Sequence, residues 1–204
     1  MQKSWEKADD GMTKENIVIA ALRLFLTRGY KSVSLVDVAN EVNITKGGIY
    51  HYFSSKDELL QVALHYLFDR LEANYSALLD DRNTLREVLH ALIVEKTPEQ
   101  YAKDLLGVDG QYSVDCAHFA IEILGKFPDI QQRIETGRVS ACEAFARKLE
   151  TAMEKGEIKS GFDSYALAAN IIAMTNGQIS LGSQFQSEAM RQRMLDNVWM
   201  LLKV

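Results

Sequence analysis

The 204-residue chain is 47% hydrophobic and 25% charged, with a formal net charge of −5, the balance of an ordinary globular protein long enough for one large domain or two small ones. Its longest apolar stretch, YALAANIIAM at 165–174, contains Asn170 and is too short to span a bilayer, and the opening MQKSWEKADDGMTKEN holds no apolar run fit for a secretory signal. Two cysteines, Cys116 and Cys142, exclude a disulfide framework, so a cytoplasmic protein with reduced thiols is expected.

The charge is uneven. Residues 1–56 carry eight Lys/Arg against six Asp/Glu, whereas residues 57–204 carry fifteen against twenty-two. A small basic head on an acidic body is compatible with nucleic-acid binding by the head alone. Helical periodicity runs through almost the whole chain and strand alternation is nearly absent, so the expected class is all-α, with about nine helices. The division expected is a helix-turn-helix head over 1–56, its residues 1–12 a polar disordered tail, and a body over 57–204.

The first helix is read from Thr13 to Arg28, with Ile17, Ala20, Ala21, Leu24 and Phe25 on one face and Gly29 closing it. Ser34 and Asp37 form a capping-box pair that opens a second helix over 35–42. Asn43 and Ile44 make a turn, and a short third helix covers 45–52. Ser55 and Glu58 open a fourth helix that runs to about Leu79. Thr84 and Glu87 open a fifth over 84–96, and TPEQYAKDLLGVDG reads as a loop with a short helix. A sixth helix covers 111–126. Pro128 fits the first turn of a seventh, which continues to about Lys155. After the break GEIKSGFD come two last helices, over 163–184 and 188–203.

Two brief helices separated by a tight turn are a helix-turn-helix unit, whose second helix enters the major groove with its N-terminal residues against base edges. The stretch NITKGGIYHYFSSK at 43–56 suits that task. Gly47 and Gly48 strip bulk from the first turn, which lets the backbone approach DNA, while Thr45 and Lys46 can reach bases or phosphates. The free N–H groups there favour phosphate. Tyr50 and His51 can donate to the DNA backbone, Lys56 is placed for a phosphate, and Ser34 and Tyr52 complete the candidate set. Stability must then come from packing, with Ile49 and Phe53 buried against Val38, Val42 and the first helix.

The segment ALRLFLTRGYKSVSLVDVANEVNITKGGIYHYFSSKDELL resembles the DNA-binding head of TetR-family (tetracycline-repressor-like) regulators. The resemblance rests on Ala21, Leu24, Phe25, Gly29, Tyr30, Ala39, Ile44, Thr45, Gly48, Ile49, Tyr50, Tyr52, Phe53, Lys56 and Leu59. The chain departs at Val38 and Asn43, where the family has Ile and Gly; Asn still tolerates a left-handed turn. The resemblance implies DNA contacts from Thr45, Lys46, Gly48, Tyr50, His51 and Lys56. Lys46 is expected to read a base and Tyr50, His51 and Lys56 to position the backbone.

It also implies a homodimer whose last two helices pair with their copies in a four-helix bundle, reading a pseudo-palindromic operator. The face expected there comprises Ala166, Ala169, Ala173, Gly177 and Ser180 on one helix and Met194, Leu195, Val198, Trp199 and Leu202 on the other. The helices before them would enclose a small-molecule effector, with Tyr101, Tyr112, His118, Phe119, Met174 and Gln178 as candidates. No cofactor and no metal is called for. The function expected is a ligand-responsive transcriptional regulator, in the family's commoner mode a repressor.

Two alternatives stay open. One is a DNA-bound interaction protein with a protein partner and no small-molecule effector. The other is a helical metalloenzyme using Glu87/His90 and Asp115/His118, which share helical faces but lack the further glutamates of a di-iron bundle. No nucleophile–base signature or phosphate-binding glycine loop supports another enzyme class.

Overall fold

The computed structural model describes residues 2–108, 123 and 126–204. Nine α-helices lie among them: α1 (Gln2–Arg28), α2 (Leu35–Glu41), α3 (Lys46–Tyr52), α4 (Lys56–Leu78), α5 (Leu85–His90), α6 (Thr97–Leu106), α7 (Pro128–Glu154), α8 (Ser164–Gly177) and α9 (Glu188–Leu202). No strand is present among the described residues; an isolated antiparallel bridge joins Ile158 to Lys203. The chain is all-α. The sixth helix expected over 111–126 lies almost wholly outside the described residues.

Contacts divide the chain into two compact units, Met1–Arg70 with Ala102–Ile134, and Leu71–Tyr101 with Glu135–Val204. This division of packing differs from the head–body boundary drawn at residue 56, because residues 56–70 of α4 belong with the head.

In the first unit, α1 begins at Gln2 rather than near Thr13. It buries Val18, Leu22 and Leu26 as well as the expected Ile17, Ala20, Ala21, Leu24 and Phe25. The wider burial has a cause in the same core. Leu106, Val108, Ile123, Phe127 and Ile130 join it, so α1 serves two sets of neighbours. Gly29 ends α1 at φ 81° with its N–H on the Phe25 carbonyl, the left-handed residue that closes many helices. Ser34 and Asp37 form the full capping box of α2, and two hydrogen bonds from Ser34 hold the Asp37 carboxyl below its usual range. Asn43 turns the chain at φ 57°. Thr45 caps α3 by accepting from the Gly48 N–H at 3.0 Å. Ile49 and Phe53 are 0% and 1% exposed, in one cluster with Val38, with Val42 packed against it.

The start of α4 differs in detail from the expected pair. Ser55 Oγ accepts from the Glu58 N–H at 3.1 Å, but the Glu58 carboxylate accepts from the N–H of Ser54, at 2.8 Å, and from its hydroxyl.

The second unit has its own core of Leu85, Leu89, Ile93, Phe145, Leu149, Ala168, Ile171, Leu195 and Leu202. The fifth helix is not continuous to residue 96. After His90 the chain widens into a π-helical turn over Ala91–Glu95, and Lys96 ends it in the left-handed region at φ 54°. The segment read as loop with a short helix is α6, with Pro98 in its first turn where no N–H is missed. The penultimate helix stops at Gly177 rather than 184. Two 3₁₀ turns, Gln178–Leu181 and Ser183–Phe185, follow, parted by Gly182 at φ 88°. Buried Lys148 donates to the Asp80 carbonyl at 2.9 Å and to that of Asn83, and Arg191 Nε donates to the Val94 carbonyl at 2.7 Å.

The turn at Asn43 is testable. Because a left-handed residue costs roughly 1–2 kcal/mol for most side chains and least for Gly, Asn and Asp, Asn43→Val should lower unfolding stability by about that amount. Asn43→Gly should leave it unchanged or raise it slightly, as read by denaturant titration.

Candidate nucleic-acid interface

The surface of the head is built outward from α3. Ile49 faces the core, which turns Thr45, Lys46, Gly47, Tyr50 and His51 to the outside; all five are exposed. Gly48 and Tyr52 are half-buried, and Tyr52 packs against the first core with its ring edge-on to His51, centroids 5.4 Å apart. No carboxylate among the described residues pairs with Lys46 or His51. The basic first turn of α3 therefore faces outward uncompensated.

The first of the two glycines there is not required by the protein's own folding. A Cβ added at Gly47 would meet only Thr45 Oγ1, at 3.9 Å, whereas one at Gly48 would crowd that capping atom at 3.3 Å and touch Ile44 Cβ at 3.7 Å. Neither glycine has positive φ. Alanine would favour the helix by about 1 kcal/mol at such a site. The reason for a bare turn thus lies outside the chain.

Beside α3 is an open notch of about 350 Å³ lined by Lys31, Ser32, Val33, Ser34, Leu35, Tyr50, Ser54, Ser55 and Lys56. The starts of α2 and α4 both border it, so backbone N–H groups, serine hydroxyls and lysines converge on one concavity, a chemistry suited to phosphate. Of the sequence candidates it gathers Ser34, Tyr50 and Lys56, while Thr45, Lys46, Gly47 and His51 stand on the exposed face of α3. Sequence reasoning missed Lys31, Ser32 and Ser54. Their signal was their position, just ahead of two helix starts.

Two candidates are occupied by the fold. The Ser34 hydroxyl is engaged with Asp37. Lys56 Nζ donates to the carbonyls of Tyr30 and Val33, both at 2.9 Å, and sits 4.2 Å from the Tyr30 ring centroid. It holds the loop between α1 and α2 before it can do anything else. Tyr30 is fixed from the other side: its hydroxyl donates to Asp57, and Lys126 Nζ lies 2.7 Å from Asp57 and 3.2 Å from the Tyr30 hydroxyl.

Of the remaining candidates, Tyr101, Met174 and Gln178 belong to the second unit. Tyr101 and Met174 are half-buried. Gln178 is 1% exposed, with neither amide atom hydrogen-bonded among the described residues. Tyr112, His118 and Phe119 lie outside the described residues, as does the Asp115/His118 pair. Glu87 caps α5 with Thr84, and His90 Nδ1 faces Glu95 at 3.2 Å. Among the described residues no group of three or more His, Cys, Asp or Glu is placed to hold a metal ion.

Of the expected dimer face, Ala166, Ala169, Ala173 and Gly177 lie exposed along α8. Ser180 falls in the first 3₁₀ turn. On the α9 half of that face, Leu195 and Leu202 are core, 1% and 3% exposed, while Met194, Val198 and Trp199 are half-buried and pack against that core. The outward side of α9 instead presents Met200 and Leu201, 63% and 72% exposed. No described helix is long and apolar enough to cross a membrane.

Comparison with known proteins agrees with this geometry. The family model for bacterial regulatory proteins of the tetR family matches residues 17–63, which span α1 to the first turns of α4. The chain is 26% identical over 174 residues to the transcriptional repressor BepR of Brucella suis, covering 84% of this chain and 80% of that protein. It is 24% identical over 189 residues to the transcriptional regulator TtgR of Pseudomonas putida, covering 88% and 83%. Its fold matches the crystal structure of a TetR-family regulator from Cytophaga hutchinsonii with a TM-score of 0.70 at 20% identity, over 95% of this chain and 96% of that one. The chain is a TetR-family DNA-binding transcriptional regulator, not an enzyme.

Proposed function

We propose that this regulator is a repressor that binds a pseudo-palindromic operator as a homodimer in the cytoplasm and leaves it when a small molecule binds the second unit. The observation that carries the DNA part is the bare, outward-facing first turn of α3, where Gly47 leaves out a side chain that the protein's own packing has room for. Thr45 and Lys46 supply hydrogen-bond donors to base edges, and lysine suits guanine O6 and N7. Lys31, Ser32, Tyr50 and His51 hold phosphates. One seven-residue helix offers few contacts, so a two-fold pair of heads, reading half-sites about 34–36 Å apart or a multiple of that, is the natural arrangement.

The dimer reading is supported by the small-residue stripe of α8. Ala166, Ala169, Ala173 and Gly177 are exposed, and Tyr165, Met200 and Leu201 add large exposed apolar groups in the same two-helix region. The ligand reading is supported by polar groups left unpaired in the second unit's interior. A ligand releases DNA only to the extent that it binds the released conformation more tightly.

Selection of bound duplexes from a random library tests the reading. An enriched inverted repeat, bound by a species of twice the chain mass in sedimentation, is expected; no enrichment at low salt overturns it. Three variants sharpen it. Gly47→Ala should raise stability by about 0.5–1 kcal/mol yet weaken operator binding tenfold or more in a mobility-shift titration. Lys46→Ala should relax preference at one base pair, a loss of about 1–3 kcal/mol of discrimination. Lys56→Met should lower the unfolding midpoint, by about 1–3 kcal/mol for a charged hydrogen-bonding group. Its salt dependence of DNA binding should change by less than the unit slope expected for a lost phosphate contact.

A further inference from the structure

The second unit contains a cavity of about 220 Å³ lined by Tyr75, Leu92, Lys96, Pro98, Glu99, Ala141, Ile172, Thr175 and Asn176. None of the residues singled out in the sequence for an effector lines it. Its walls are largely apolar, and its polar character is unbalanced. The Tyr75 hydroxyl oxygen is buried without a hydrogen-bond partner among the described residues. Burial, with the Cys142 thiol nearby, pushes its ionisation upward, so it stays a neutral donor. An unmet buried hydroxyl costs about 1–3 kcal/mol. The Lys96 side chain is only 17% exposed, and its one partner among the described residues is Glu99, at 3.5 Å. Glu99 is itself 42% exposed. A mostly buried ammonium with a single long contact and a phenol with none leave a surplus of donors in a small apolar space.

The backbone adds to the same imbalance. Pro98 and Glu99 form the first turn of the ten-residue helix α6, and a helix start favours negative charge. Lys96 lies at φ 54° and ψ 44°, at the end of the π-helical turn. Such turns gather at functional sites, and a non-glycine residue held in this region costs about 1 kcal/mol or more. Glycine would hold the turn at less cost but would supply no ammonium.

We propose that this cavity takes a small monocarboxylate, its charged group on Lys96 Nζ and the Tyr75 hydroxyl and its apolar body against Leu92, Pro98 and Ile172. One lysine, partly offset by Glu99, matches a single negative charge rather than a phosphate dianion. Since an apolar cavity of about 150 Å³ holds benzene, the space here admits a body of that size plus the carboxylate. On binding, Glu99 gives up its long contact and turns to solvent. The proposal rests on the reading of the protein as a ligand-released regulator and specifies the chemistry of the ligand.

Calorimetric titration of the full-length protein with benzoate, phenylacetate and hexanoate, each beside its uncharged amide and its amine, tests it. At least one carboxylate should bind ten times more tightly than its amide and its amine. Tyr75→Phe, which removes an atom that has no partner among the described residues, should leave the unfolding midpoint equal or higher and weaken carboxylate binding about 10- to 100-fold. Lys96→Met should weaken it at least as much, and Glu99→Gln should strengthen it several-fold. Binding of none of the three carboxylates, preference for amines, or carboxylate affinity unchanged in Tyr75→Phe overturns the proposal. Operator titration in the same solutions separates the two readings. Carboxylate binding that leaves DNA affinity untouched supports the cavity assignment and overturns ligand release. Release of DNA by an amine supports ligand release and overturns the carboxylate.

Discussion

The anchoring of α3 by Ile49 and Phe53 is the constraint on which the regulator's head depends. A helix of seven residues with two glycines in its first turn cannot persist alone in water. It persists because those two side chains, 0% and 1% exposed, lock into the core built by α1 and α2. The caps on either side are local and polar, Thr45 on α3 and the Ser34–Asp37 box on α2. They set where the helices start, whereas the buried pair sets which face looks outward. Once Ile49 points in, Lys46, Gly47, Tyr50 and His51 have no choice but to point out.

The head is also held from a distant part of the chain. Arg23 Nη1 donates to the Leu106 carbonyl at 3.4 Å, and Arg23 pairs with Glu41 of α2 at 2.8 Å. At the other end of that segment Lys126 bridges Asp57 and Tyr30, and Phe127 meets the Tyr30 ring edge-on at 6.4 Å. Residues 106 and 126 therefore bracket the head from two sides, at α1–α2 and at the loop that Lys56 pins. Exposed ion pairs such as these are worth little as stability; their use here is geometric, since they tie α1 to α2 and Tyr30 to the start of α4.

What was legible in the sequence was what depends on near neighbours. The Ser34–Asp37 and Thr84–Glu87 caps, the left-handed Asn43, the closing Gly29 and the buried Ile49 and Phe53 follow from residue type and spacing alone. What the sequence did not display has a common origin in partners distant along the chain. Leu195 and Leu202 form an apolar stripe on α9, but a stripe does not say whether its cover is the same chain or another, and here it is the chain's own core. Lys56 looked like a phosphate contact because it is a lysine beside the recognition helix; the carbonyls of Tyr30 and Val33 that occupy it are 26 and 23 residues away. The π-helical turn at Ala91–Glu95 leaves no mark in a pattern that reads as plain α-helix up to Lys96. The candidate cavity was hidden for the same reason, since Tyr75, Lys96 and Thr175 share no spacing.

Two sites in this chain carry a local conformational cost that the rest of the fold does not require. At Gly47 a side chain is missing where there is room for one. At Lys96 a long side chain is present where the backbone would rather have none. In a sequence whose turns otherwise follow local preference, with glycine or asparagine at the other positive-φ positions among the described residues (Gly29, Asn43, Gly107, Gly156, Gly161 and Gly182), such departures carry information. The first makes a surface that a large, flat-edged, negatively charged partner can approach closely. The second places a cation, short of acceptors, in the wall of a small apolar space. They are of opposite kind, bulk removed at one and charge added at the other, and each is understood only if the partner that completes it comes from outside the chain.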